Sequence, residues 1–352
     1  MKMQDVAKRA NVSTATVSRV LSNPDKVSES TKKRVLEAID ELNYQPHVVA
    51  RQFRTMQTKI ILVVVPDITS AFFSQILRGI EHVAIEHGYQ VILADTENKT
   101  EREREYMNIL HQKQADGMVL LTARMNKHEL EEISDAFPVV LACEYMDELN
   151  TPTVSIDNIS SSRKAIQHFI DMGHRKIAHI TGPMDVILSR DRLRGYQQAM
   201  YSNDLPMDSL YIQEGNFTIE SGYNQMKKLL SLDEPPTAVF VFNDEMAIGA
   251  INAVRDQGLS VPEDIAVIGF DNINMAPIFT PKLTTIDQPK YEIGQKAMNL
   301  LLSLINKEPL EKRKFVLKDE LVIRETCGYT LSRNNDSRDK DGNAISTKIL
   351  EH

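Results

Sequence analysis

The sequence predicts an α/β protein, a small all-helical head followed by two doubly wound parallel-sheet subdomains. Three observations carry this prediction. Residues 3–42 place apolar side chains at helical spacings only. From Lys59 onward, strand-like apolar runs alternate with amphipathic helices, the signature of parallel sheets with crossover helices. The net charge of −8 also conceals a split, because residues 1–60 hold 11 Lys and Arg against 6 Asp and Glu while the remainder holds 30 against 43. A basic head on an acidic body suggests a nucleic-acid module joined to something else, with a chance excess of charge on one solvated face as the competing reading.

Composition narrows the class further. With 352 residues, 42% hydrophobic and 26% charged, the chain has material for about two to three globular domains, which excludes a disordered polymer or a disulfide-stapled miniprotein. The longest apolar run, residues 60–65, is far short of the ~20 residues of a spanning helix, and MKMQDVAKRA has no signal-peptide core. The expected compartment is the cytoplasm, with no membrane contact. Cys143 and Cys327 form no C-x-x-C pair and read as small buried side chains.

In the head, MQDVAKRANV (3–12) reads as a first helix and STATVSRVL (13–21) as a second, with Ser13 as N-cap. Asn11 sits at the turn, where a positive φ is needed and Asn tolerates it. Val6, Ala7 and Ala10 face Val12, Val17, Val20 and Leu21, small Ala7 allowing close approach. A third helix, 31–42 after Ser28, supplies Val35, Leu36, Ile39 and Leu42. This is a helix-turn-helix plus one.

The string DVAKRANVSTATVSRVLSNPDKVSESTKKRVLEAIDELNYQPHVVARQF resembles, almost without a gap, the head of the lactose-repressor/galactose-repressor (LacI/GalR) family, through DVA, VS-x-x-TVSRVL, V-S-x-x-T and LNY-x-P. The resemblance implies a DNA-binding domain over 1–46 whose second helix enters the major groove, with Thr14, Ala15 and Arg19 at base edges. Arg19 can donate twice to a guanine, whereas Ala15 and the Thr14 methyl suit a thymine methyl. Thr16, Ser18 and Lys2 suit phosphate contacts, or ordinary solvated surface. Residues 47–57 resemble the family's hinge helix, too short to be stable alone and implied to order when two copies meet in the minor groove. There Arg51 joins the expected DNA-binding set. Phe53 stands where the family usually has a wedge Leu, which leaves the central-step geometry open and an apolar anchor on the body as the competing reading.

In the body, strands are expected at 60–65, 90–94, 117–121, 138–142, 176–180, 237–242 and 264–270, and helices at 72–87, 101–114, 160–172, 190–201, 219–230, 244–257 and 291–305. VPD-x-x-x-x-FF, QADGMVLL, SIDN, GHRKIAHITGP, RLRGY, FNDEMAIGA, VPEDIAVIGFDN and LTTIDQP extend the resemblance to about residue 328. They imply a type I periplasmic-binding-protein-like core over 58–328 that binds an effector and dimerises, followed by a tail, 329–352, that reads as disordered. FFSQILRGIE, FTIESG and PPTAVFVFNDEMAIGA are similar to the cytidine-repressor branch, which raises a nucleoside effector and a co-bound activator protein as partners. No terminal leucine heptad follows, which favours a homodimer over a tetramer.

Ligand in such a fold lies in the crevice beyond the strand ends. Asp271, ending an apolar strand, and Arg192 suit the hydroxyls of a furanose diol, or are merely partners to each other. The resemblance puts Phe73 and Phe217 where purine-type relatives sandwich a base, and Val186 and Leu188 where those relatives hold a free purine with Arg and Thr. Asn243 can bond polar edges or cap a helix. Glu144 is a candidate for the base edge or a rim charge, and Asp157 for positioning or capping.

Enzyme chemistry is not expected. G-x-G-x-x-G and G-x-x-x-x-G-K-[ST] are absent. Ser161-x-x-Lys164 opens a helix, and His168, His174 and His179 fall on helix, turn and strand rather than one ligand face, so no metal or cofactor is expected. The run Glu101–Glu105 reads as a solvated helix face. The leading reading is a sequence-specific, DNA-binding transcriptional repressor whose operator binding is modulated by a nucleoside such as cytidine. Alternatives are a repressor responding to a pentose or other sugar, or a cytoplasmic sugar-binding protein or enzyme with a basic head.

Overall fold

The computed structural model describes residues 2–22, 26–44 and 57–329. The expected hinge positions 47–56, with Arg51 and Phe53, and the tail from 330 lie outside them. The chain divides into two compact units, Met1–Thr58 and Lys59–His352.

In the first unit, α1 (Met3–Ala10), α2 (Thr14–Ser22) and α3 (Glu29–Glu41) enclose Val6, Ala7, Ala10, Val17, Val20, Val35, Ala38 and Tyr44. Asn11 takes φ 54°, so its backbone turns the chain sharply out of α1. Ser13 caps α2, its hydroxyl accepting from the Thr16 amide at 3.1 Å. Ser28 holds the N-cap position of α3, but its hydroxyl pairs with that of Thr31 at 3.0 Å rather than with an amide. Leu36, expected in this core, is 45% exposed. It sits about 100° around the helix from Val35, whereas Ala38, three residues on, returns to the buried face.

The second unit contains two six-stranded sheets. The elements run β1 (Ile60–Val65), α4 (Ala71–Glu86), β2 (Gln90–Asp95), α5 (Thr100–His111), β3 (Gly117–Leu120), α6 (Lys127–Ala136), β4 (Val139–Ala142) and β5 (Thr153–Ile156). They continue through α7 (Asn158–Asp171), β6 (Ile177–Thr181), α8 (Ile187–Ser202), β7 (Ile212–Glu214), α9 (Ile219–Leu230), β8 (Ala238–Val241), α10 (Asp244–Asp256) and β9 (Ala266–Asp271). The last are β10 (Thr284–Asp287), α11 (Lys290–Ile305), β11 (Lys314–Leu317) and β12 (Glu320–Val322). The first sheet has order β11-β5-β4-β3-β1-β2 and the second β12-β10-β9-β8-β6-β7. All pairings are parallel except β12 on β10. The chain therefore passes between the sheets three times, after β5, β10 and β11.

Strands β1, β3, β4, β6, β8 and β9 are almost wholly buried, which is why they read as continuous apolar runs. Strands β5, β7, β10, β11 and β12 and helix α6 were not expected from the sequence. Helices α4 and α11 pack closely because a Cβ on Gly79 or Gly294 would strike the backbone carbonyl of Tyr291 or Ile76. The strand ends of the two sheets face a common crevice, the place where open parallel sheets bind ligands.

Candidate functional site: a DNA-reading helix and an effector cleft

On α2, Thr14, Ala15 and Arg19 are exposed, while Thr16 and Ser18 are half-buried. Thr14 and Ser18, and Ala15 and Arg19, are each four residues apart, so both pairs lie along one side of the helix. The Thr16 hydroxyl is 2.9 Å from that of Ser13, which gives it a capping role beside any phosphate contact. Lys2 is exposed, and its backbone amide donates to Asp5 at 2.8 Å.

The crevice encloses a cavity of about 230 Å³. At its inner end Arg192, from the buried side of α8, is 2% exposed. Its Nε donates to Asn158 Oδ1 at 3.0 Å and its Nη1 to the Phe242 carbonyl. The guanidinium lies 3.5 Å from the Phe270 ring centroid and 4.2 Å from that of Phe242, so aromatic faces replace part of the lost water. Its Nη2 stands 4.0 Å from Asp271 Oδ1. Burial nevertheless lowers the Arg192 pKa to about 10, against the pull of Asp271.

Asp271 ends β9 with φ 107°, a backbone state rare outside glycine that aims the carboxylate into the cavity. Burial pushes its pKa up to about 6, opposed by Arg192 and by Gln288, whose Nε2 donates to Oδ1 at 2.7 Å. Gln288 was not singled out by sequence, although it stands in LTTIDQP. Beneath this group Asp244 accepts from Thr285 Oγ1 at 2.6 Å and from the Ile273 amide at 2.8 Å. Burial first, then neighbouring Asp271, pushes its pKa up to about 8. Buried Lys290 donates to the carbonyls of Asp271, Asn272 and Gln288 and to Asp287.

Phe73, from the first turn of α4, and Phe217, before α9, both line the cavity, as do Val186 and Leu188. Asn243 lines it too, but both ends of its amide are engaged. Its Oδ1 caps α10 through the Met246 amide at 2.8 Å, and its Nδ2 donates to the Phe217 carbonyl at 3.1 Å. It holds Phe217, whose φ is 75°, and caps a helix, which leaves the second Nδ2 hydrogen for a polar edge. Glu144 is buried, not a rim charge, and is ion-paired with Arg124, a cavity-lining residue the sequence reading missed. Asp157 is not brought to the cavity. It is exposed and caps α7 through the Ser160 amide at 3.0 Å.

Polar contacts join the subdomains across the crevice, among them Ser70 Oγ donating to Glu245 at 3.5 Å and Gln75 Nε2 to Asn274 Oδ1 at 3.3 Å. The Tyr145 hydroxyl donates to Asp191 Oδ2 at 2.7 Å, and Glu245 accepts from the Ala71 amide at 3.4 Å. Residues weighed for other chemistry are dispersed. Ser161 donates to the Asp157 carbonyl while Lys164 pairs with Asp319. His168, His174 and His179 meet Cys327, Thr237 and the Phe240 carbonyl respectively. Glu103, within the run read as solvated, is wholly buried. Among the described residues no cluster of His, Cys, Asp and Glu is arranged to hold a metal, and no helix is long and apolar enough to cross a membrane.

Known proteins match along nearly the whole chain. Residues 2–47 match the family of bacterial regulatory proteins, lacI family, and residues 166–327 match the periplasmic binding protein-like domain. The HTH-type transcriptional repressor CytR of Escherichia coli (strain K12) is 44% identical over 323 residues, 92% of this chain and 95% of that protein. Catabolite control protein A of Priestia megaterium is 38% identical over 324 residues, 92% of this chain and 98% of that protein. Among solved structures, the lac repressor dimer bound to operator and the anti-inducer ONPF superposes with a TM-score of 0.84 at 29% identity, covering 93% of this chain and 99% of that one. The fold expected from sequence, a helix-turn-helix head on a periplasmic-binding-protein-like core of two parallel-sheet subdomains, is the one observed. With this architecture, identity and coverage, the chain belongs to the LacI family of helix-turn-helix, DNA-binding transcriptional repressors.

Proposed function

We propose that this repressor binds a pseudo-palindromic operator as a homodimer, reading bases with Thr14, Ala15 and Arg19, and that a nucleoside, cytidine first, modulates the binding from the cleft. The reading divides the chain into a DNA-binding head (1–46), a hinge (47–57) and an effector core (58–328). One observation carries the effector assignment. Arg192 and Asp271 meet at the inner end of a cavity whose wall also includes Phe73 and Phe217. A charged donor and acceptor suit a diol, while aromatic faces suit a flat base. The similarity to CytR supports the nucleoside, and the lac repressor dimer supports the homodimer. Edge strand β2 and the end of α4 expose Ile92, Leu93 and Ile85, apolar area for a subunit contact.

Titration calorimetry with cytidine, uridine, adenosine and ribose on the wild type and Asp271→Asn tests the assignment. The variant should bind nucleoside weaker by about 1.5–3 kcal/mol, the range for hydrogen bonds to charged groups, with ligand-free operator affinity unchanged. Binding of ribose or a hexose with failure of every nucleoside would sink the base sandwich and favour the sugar-responsive reading, which uses the same diol end.

A further inference from the structure

Arg124 and Glu144 form a buried ion pair that the diol chemistry does not use. Arg124 follows β3 and Glu144 follows β4, neighbours in the first sheet, so adjacent strand ends set the two side by side. Nη1 donates to Oε2 at 2.7 Å and Nη2 to Oε1 at 3.2 Å, with the side chains only 16% and 7% exposed. The loop carrying Arg124 is itself held. Its amide donates to the two oxygens of Glu103 at 3.2 and 2.9 Å, and the Met125 amide adds a third bond at 3.3 Å.

Such a pair is a poor stability device, because desolvating both charges offsets most of their attraction and apolar residues of equal volume hold a fold as well. As a recognition element it has definite content. Arg124 and Glu144 line both the inner cavity and the wider mouth outside it, and Phe217 is on the wall of each. A base stacked on Phe217 with its sugar at Arg192 and Asp271 would therefore present its edge to this pair. Among the described residues, Arg124 Nε and the second hydrogen of Nη2 have no acceptor, and each Glu144 oxygen accepts one bond from Arg124 and keeps a lone pair. The array offers donors and then an acceptor. Its complement is an edge reading acceptor, acceptor, donor, which is the O2, N3 and 4-amino edge of a 4-aminopyrimidine. A 4-oxopyrimidine reads acceptor, donor, acceptor, and would set its N3–H against the guanidinium and its O4 against the carboxylate.

We propose that Arg124 and Glu144 are the specificity-determining pair of the cleft, selecting a 4-aminopyrimidine nucleoside over its 4-oxo counterpart. This rests on the nucleoside reading above. Discrimination comes from the mismatched partner, since an unpaired polar group in a site built to bond it is rejected more strongly than a missing methylene.

The test titrates cytidine, uridine and the 2-oxopyrimidine riboside lacking the 4-amino group into the wild type, Glu144→Gln and Asp271→Asn. The wild type should prefer cytidine at least tenfold over each of the other two. Glu144→Gln, which gives the position a donor, should lower the cytidine-to-uridine ratio at least tenfold, whereas Asp271→Asn should weaken both nucleosides and leave the ratio in place. Equal binding by the wild type of cytidine and either uridine or the 2-oxopyrimidine riboside overturns the proposal without any variant, even if Glu144→Gln misfolds. An unchanged ratio in folded Glu144→Gln overturns it too, and the nucleoside reading then survives. Failure of every nucleoside to bind the wild type removes that reading, and this proposal with it.

Discussion

Individual side chains divide between reading DNA and tolerating burial. Arg19 stands exposed on α2, and a bidentate contact to guanine carries about 1–3 kcal/mol of discrimination. Arg19→Ala should therefore weaken operator binding by that amount in a gel-shift titration and relax preference at one symmetric base pair. An equal loss on random DNA would make it a phosphate contact instead. Asp244 illustrates the second case. Its pKa is pushed up from 3.8 to about 8 in the folded protein, so the folded state holds a proton that the unfolded chain has already released. The contribution of Asp244 to stability is thus greatest at low pH and falls as pH rises from about 4 through 8, where the buried carboxyl is forced to ionise. An Asn at this position can accept from the Ile273 amide and donate to the Thr285 hydroxyl without ionising. Asp244→Asn should raise Tm at pH 8.5 and gain little near pH 4.5; a Tm difference independent of pH would refute the linkage.

Elements were legible in the sequence where burial is apolar and illegible where it is polar. IILVVV and AVIGFD announce themselves because both faces of β1 and β9 meet side chains rather than water. TVSI and TTID do not, since a hydroxyl in a strand reads as a solvent face. In β10 the Thr284 amide instead bonds Thr326 Oγ1, and the Thr284 hydroxyl accepts from the Arg324 amide, both at 2.8 Å. Helix α6 escaped notice because only Leu130 and Ile133 are buried among acidic neighbours, although Asn126 and Glu129 form a capping box. The same limit applies to the cleft. Arg192 and Asp271 read as a pair, and Phe73 and Phe217 come from the family resemblance, but Arg124 and Gln288 gain meaning only from partners 20 and 17 residues away that folding delivers. Helix α5 gives a direct check. Glu103→Ala strips the Arg124 and Met125 amides of their acceptor and should cost about 1–3 kcal/mol in urea denaturation, whereas Glu105→Ala, on the exposed side, should stay within about 0.5 kcal/mol. Equal effects would mean that Glu103 is not a buried clamp.

At the scale of the whole molecule, the decisive feature is that β11 and β12, the last strands among the described residues, form one edge of each sheet. Among the described residues, the buried cluster of the head is drawn from residues 6–44 alone. The core is different, for α11 must pack on α4, more than 200 residues upstream, and the first sheet lacks its full set of strands until Leu317 and the second until Val322. Domains fold as units while the ribosome is still adding residues, amino terminus first. A growing chain therefore carries a finished DNA-reading head long before it has a finished core, and through that interval β5 and β10 each present an unpaired edge. Through that interval the nascent repressor has its DNA-reading helix but not the finished walls of the cleft, and β11 and β12 are the strands that complete the two sheets around it.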